Sequence, residues 1–189
     1  MTKRTMAAIA ALPIFPIIAA AWAASAGADL PAGRSCVGYK TTKQMFLVAT
    51  VDVKAVNCSL TINRDGAGNV IVTIPVDKFD SGSKKRDEHV AELLGGHAKT
   101  PLLFEFMEPT ASDLAASSFE ADGALTINGK PSPIHVVFVR EQDGSHAFQM
   151  ETKLSALGVT VPKVALGLVA TPSDEITLYG RAGASDDIR

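Results

Sequence analysis

From residue 59 to residue 154 the chain alternates short apolar runs of period two with tight-turn signals, a pattern that few folds accept. Residues 59–63 read SLTIN, with Leu60 and Ile62 on one face. RDGAGN (64–69) then supplies Asp-Gly and Gly-Asn, residue pairs that suit a hairpin loop. In VIVTIPV (70–76) Val70, Val72, Ile74 and Val76 share a face, and Pro75, lacking an N–H, marks a strand end or a sheet edge. In PLLFEFME (101–108) Leu102, Phe104 and Phe106 point one way and Glu105 the other. SFEADGALTIN (118–128) is the clearest strand: Phe119, Ala121, Leu125 and Ile127 alternate with Glu120, Asp122, Thr126 and Asn128. Asn128-Gly129, with Pro131 and Pro133, reads as the next turn, and IHVVFV (134–139) as the next strand. QDGS (142–145) is a further hairpin turn, and residues 146–154 and 175–179 complete the series.

One segment departs from this period. Residues 84–94 place Val90, Leu93 and Leu94 at i, i+3, i+4 spacing, and Gly95-Gly96 stops the helix. A parallel sheet needs a long crossover between strands, usually helical, and a single helical pattern cannot supply a series of them. The fold class is therefore all-β, an antiparallel barrel or sandwich with one short helix. Its inward sets are apolar throughout. An eight-stranded barrel is just wide enough to be filled by side chains or to hold one slim ligand, and the residues alone leave both open.

The start of that helix concentrates charge. In FDSGSKKRDEHV (79–90) Lys84 and Glu88, and Lys85 and His89, lie at i, i+4. Cations at a helix N-terminus oppose its dipole, so the upstream carboxylates Asp77 and Asp80 are expected to hold them. Two readings follow. The segment is a solvated lid with Val90, Leu93 and Leu94 plugging one barrel end, or Lys85 and Arg86 meet a ligand's head group, for which a forked guanidinium is suited.

The chain has 189 residues, enough for one domain plus a targeting segment. Lys3 and Arg4 precede an apolar run (6–24) and then the small residues ASAGA (24–28), which together read as a signal peptide over residues 1–28. The mature domain is then 29–189, exported to a periplasmic or extracellular site. Losing Lys3 and Arg4 moves the formal net charge from −2 to −4, because residues 1–28 hold no acid. A mildly acidic chain without a basic tail argues against nucleic acid as a partner. In an exported chain the two cysteines, Cys36 and Cys58, suit a disulfide; two buried free thiols or a reactive thiol are the alternatives.

Catalytic chemistry finds little support. His89, His97, His135 and His146 form neither HxxxH nor HxH, so no metal is expected. There is no GxSxG, and Ser81, Ser83, Asp87 and His89 sit at spacings that define no triad. No cofactor and no enzymatic activity are expected.

The segment VDKFDSGSKKRDEHV (76–90), with LTINGKPSPIHVVF (125–138), resembles the YceI-like family of exported, lipocalin-like proteins. The residues that carry the resemblance are Phe79, Asp80, Ser81 and Gly82, then Lys85, Arg86, Asp87, Glu88 and His89. Pro101, Leu103, Phe104 and Phe106 follow, then Gly123, Leu125, Thr126, Ile127 and Gly129, then Pro133 and Ile134. The match is good over 56–140 and weaker at both ends, where no early strand is legible near 38–46 and residues 154–168 read LSALGVTVPKVALGL.

The resemblance implies an extended eight-stranded antiparallel barrel with a lid helix and a long apolar channel that binds amphiphiles such as polyisoprenoids, isoprenoid quinones and fatty amides. It turns the apolar stripes from filled core into channel walls, for which Val72, Ile74, Phe104, Phe106, Leu125, Ile127, Val136, Phe138, Phe148 and Met150 are the candidates, with Lys85 and Arg86 at the head group. The expected partner is an amphiphilic small molecule with a long apolar chain, a bound isoprenoid or quinone among the options. A membrane or membrane-protein encounter would supply it, and a homodimer is compatible with this reading. Two alternatives are a non-catalytic interaction module with a filled barrel and a quinone-delivering accessory to a membrane redox partner.

Overall fold

The computed structural model describes residues 30–45, 49–160 and 171–183. The expected signal peptide and much of the 154–168 stretch lie outside the described residues.

The described residues hold nine strands: β1 (Cys36–Met45), β2 (Ala49–Asn57), β3 (Thr61–Arg64), β4 (Asn69–Ile74), β5 (Leu102–Met107), β6 (Ser118–Ile127), β7 (Lys130–Arg140), β8 (His146–Lys153) and β9 (Thr171–Ala182). One antiparallel sheet contains them all, in the order β2-β1-β9-β8-β7-β6-β5-β4-β3. Its two edge strands, β2 and β3, are neighbours in the chain, separated by residues 58–60 alone. Both edges must therefore approach each other there, which curls the sheet into a barrel.

The expected count of eight becomes nine because β1 forms where no strand was legible. β2 pairs with β1, and β3 with β4. Asn57 ends β2. Fully buried, its side chain donates through Nδ2 to the Pro75 carbonyl at 2.7 Å and accepts the Ser59 N–H at Oδ1, at 2.8 Å. Val56 and Asp80 exchange backbone hydrogen bonds of 3.1 and 2.9 Å beside it, so the start of the charged segment is tied to the end of β2.

Turn chemistry follows the sequence. Asp65 accepts the Ala67 and Asn69 backbone N–H groups and the Asn69 side-chain amide; these bonds favour its anion and hold its pKa below the usual carboxylate value. Asn128 and Gly129 take φ of 52° and 76° in a two-residue hairpin.

Three elements differ from expectation. β1 occupies the region where no strand was legible; its inward residues include Val37 and Tyr39, and the intervening Gly38, Lys40 and Thr42 dilute the apolar period. Pro131 and Pro133 belong to β7, not to the turn. They oppose Thr126 and Ala124 at the non-hydrogen-bonded positions of the β6–β7 hairpin, so their missing N–H groups face the other edge. Among the described residues no strand pairs with that edge before Phe138, which is where proline is tolerated. The third is a short helix, α2 (Ala111–Ala115), preceded by a capping box between Thr110 and Asp113.

The expected helix is α1 (Lys84–Gly95), closed by Gly96 at φ 64°. Its most buried residues are Ala91 and Gly95, while Val90, Leu93 and Leu94 are half-buried against the core. Gly95 is required by closeness: an added Cβ would sit 2.7 Å from Val76 Cγ2 and 2.6 Å from the Thr100 carbonyl oxygen.

Candidate functional site

Inside the curled sheet is a cavity lined almost wholly by apolar side chains. Its volume is about 120 Å³, which makes it a slim slot. All ten residues expected as channel walls border it. β1 and β9 add Val37, Tyr39, Ile176 and Leu178, which the sequence reading did not select.

Exposure distinguishes two kinds of wall. Phe104, Phe106, Leu125, Ile127, Val136 and Phe138 are each below 9% exposed. Their rings form a continuous stack, with Phe104–Phe106 centroids 4.8 Å apart, Phe106–Phe138 6.0 Å and Phe138–Phe119 4.8 Å. Val72, Phe148, Met150, Ile176 and Leu178 are half-buried although they face inward. Inward residues of paired strands lose this much contact only where the neighbouring volume is empty. We expect Phe138→Ala to cost about 3–5 kcal/mol, as in a filled core. Met150→Ala should cost under about 2 kcal/mol, because one side of that residue already lacks partner atoms. Urea denaturation of ligand-free protein measures both; equally large losses would indicate a solid interior.

The charged segment is held differently from expectation. Arg86 donates through Nε to Ser81 Oγ at 2.7 Å and through Nη2 to the Ser81 carbonyl, while Asp87 accepts both the Ser81 backbone N–H and its hydroxyl. Asp77 lies 3.6 Å from Lys78 and Asp80 accepts the Gly82 N–H, so neither carboxylate is the partner of the helix cations. Ser81 is the pin of the turn, a role that depends on Arg86 and Asp87 folding back onto it and that no local sequence pattern marks. Lys85 is exposed, and neither it nor Arg86 borders the cavity.

Cys36 and Cys58 are disulfide-bonded. With Leu30, Tyr179 and Val56 they form a small apolar cluster apart from the main core. Among the described residues no three His, Cys, Asp or Glu side chains converge as a metal site.

His146 was not singled out by its sequence context, yet it is 6% exposed, on the inward face of β8. Its ring meets Phe119 edge-on at 5.4 Å, and its Nε2 has no hydrogen-bond partner. Burial, reinforced by the Arg140 charge, pushes its pKa below the usual value against a hydrogen bond to the Leu114 backbone. The unfolded imidazole titrates near 6.5, so below that pH the unfolded chain binds more protons than the folded one. Stability should fall as pH drops from about 6.5 through the lower folded value. His146→Leu should flatten the fall in denaturation midpoint between pH 7 and 5; a variant that keeps the wild-type slope would exclude His146 as its source.

Three comparisons bear on this arrangement. A family model described as the YceI-like domain matches residues 30–181. Among curated proteins no sequence match is found. The crystal structure of Burkholderia cenocepacia BcnA is similar with a TM-score of 0.55 at 22% identity, covering 78% of this chain and 94% of that one. A structure described as a polyisoprenoid binding domain from Saccharophagus degradans, implicated in plant cell wall breakdown, also gives 0.55, at 12% identity, covering 80% of this chain and 97% of that one. At these identities the likeness is one of fold.

Proposed function

Because the chain belongs to the YceI-like family, we propose that it is an exported, non-catalytic binding protein that carries a long-chain apolar amphiphile inside its barrel. The observation that carries this reading is the half-buried state of inward-facing Val72, Phe148, Met150, Ile176 and Leu178 around an apolar slot. A chain laid along that slot leaves water at a gain of roughly 0.8 kcal/mol per buried CH₂. Affinity then comes from area, and the polar part of the cargo adds selectivity. The polyisoprenoid binding domain of like fold from Saccharophagus degradans supports an isoprenoid as one class of cargo; quinones and fatty amides offer the same long apolar portion.

Export is part of the proposal. It rests on the leader-like residues 1–28 and on the Cys36–Cys58 bond, which persists in an oxidising compartment. Such a cargo is scarcely soluble, so loading and release require an encounter with a membrane or a membrane protein. The test is native mass spectrometry, with organic extraction, of protein freshly purified from the exported fraction. One apolar chain per protein molecule is expected. A quinone in the extract would favour delivery to a redox partner, whereas a uniformly unliganded mass would favour the filled-barrel interaction module.

A further inference from the structure

The inner face carries two polar atoms that the apolar walls do not explain, His146 Nε2 and the Tyr39 hydroxyl, and of these two residues only Tyr39 borders the cavity. Ala55, Tyr39, Leu178 and Met150 form a row across β2, β1, β9 and β8, each paired with the next, and Tyr39, Leu178 and Met150 border the cavity. Tyr39 is 6% exposed, and its phenol oxygen has no hydrogen-bond partner. Its ring lies 5.6 Å from that of Phe79. The other two polar residues of that wall, Tyr179 and Arg181, also border the cavity, but their side chains leave the strand on its opposite face. Tyr179 and Arg181 alternate with Leu178 and so take the outer face, where Tyr179 covers Gly38 and Arg181 pairs with Glu141. A buried donor without a partner is costly to keep. Phenylalanine would fill the same space without that cost, so the hydroxyl asks for a partner that arrives with the cargo.

We propose that Tyr39 is the polar anchor of the cavity, donating a hydrogen bond to a neutral oxygen acceptor on the bound chain. This rests on the carrier reading and narrows its cargo to apolar chains bearing a carbonyl or ether oxygen. Burial, with the Asp87 carboxylate nearby, pushes the phenol pKa up to about 12 against the opposing Arg86 charge, so the group remains a neutral donor throughout the ordinary pH range. The same dry surroundings disfavour an anionic acceptor. The anchor thus lies on β1 and not on Lys85 or Arg86.

The test uses delipidated mature protein and two competitors of the neutral fluorophore diphenylhexatriene. One is farnesylacetone, a ketone on an isoprenoid chain, and the other is the hydrocarbon of the same length. Wild-type protein should bind the ketone more tightly, by up to about tenfold, the size of one net hydrogen bond. Tyr39→Phe should abolish that preference, read as the ratio of ketone to hydrocarbon affinity within each protein. The carbonyl infrared band of bound ketone should be shifted to lower frequency in wild type and not in Tyr39→Phe. Tyr39→Phe keeps the ring against Phe79, and its melting temperature verifies the fold. If both competitors bind and the preference is absent, or survives Tyr39→Phe, the anchor is wrong and the carrier reading stands. If neither binds wild type, both are wrong.

Discussion

Replacing Gly123 by alanine is expected to lower the melting temperature by about 10 °C. Gly123 sits within β6, opposite Phe106 of β5 and Ile134 of β7. A Cβ there would lie 2.3 Å from the Glu105 carbonyl oxygen, 2.9 Å from Phe104 Cε2 and 3.0 Å from Phe106 Cβ. The nearest atom is backbone, so relief requires β5 and β6 to separate. Phe104 and Phe106 form one end of the aromatic stack, and both would shift with β5. Overpacking of this kind costs about 3 kcal/mol or more, and each kcal/mol moves the midpoint of a chain this size by about 2–4 °C. Gly66→Ala is the control, since its Cβ would meet nothing within 4 Å, and it should be neutral within about 0.5 kcal/mol. Scanning calorimetry of the two variants checks the contrast. Equal midpoints would mean that β5 and β6 are not this close.

The second large effect is loss of the disulfide. Cys36 and Cys58 flank the pair Val37–Asn57 at the end of the β1–β2 ladder. Their bond closes a sequence separation of 22 residues and clamps the hairpin at its open end. The chain-entropy model gives about 3 kcal/mol for a loop of this length. β2 is an edge strand held on one side by β1, so fraying there would also loosen Asn57 and the Val56–Asp80 bridge. Denaturant titration of the Cys36→Ala/Cys58→Ala double variant should show this loss. A change below about 1 kcal/mol would mean that the hairpin is already closed in the unfolded ensemble.

Much of the fold was legible because strand period and turn chemistry act locally. Leu102, Phe104 and Phe106, and Phe119, Ala121, Leu125 and Ile127, face inward as their alternation requires. β1 was not legible because its inward Val37 and Tyr39 are separated by Gly38, a residue that fits beneath Tyr179 from β9, 141 residues later in the chain. The structural role of Asn57 was hidden for a similar reason. Asn57 looks like any loop polar residue until Pro75 is brought to its amide. The cavity walls could be named from alternation, but alternation does not say whether the space between them is filled. That depends on how far apart the sheet holds Val72 and Met150, which no local pattern contains. Tyr39 and His146 were overlooked because a polar atom gains meaning from the partner it lacks.

The most direct test of the central claim is titration of delipidated wild-type protein and of Leu178→Trp with diphenylhexatriene. Leu178 is inward, half-buried and paired with both Tyr39 and Met150, so an indole there occupies the slot and leaves the outer surface unchanged. Wild type should bind one fluorophore per molecule with saturation, and Leu178→Trp should lose that binding while remaining folded. Failure of wild type to bind, or equal binding by Leu178→Trp, would contradict a carrier built around this cavity.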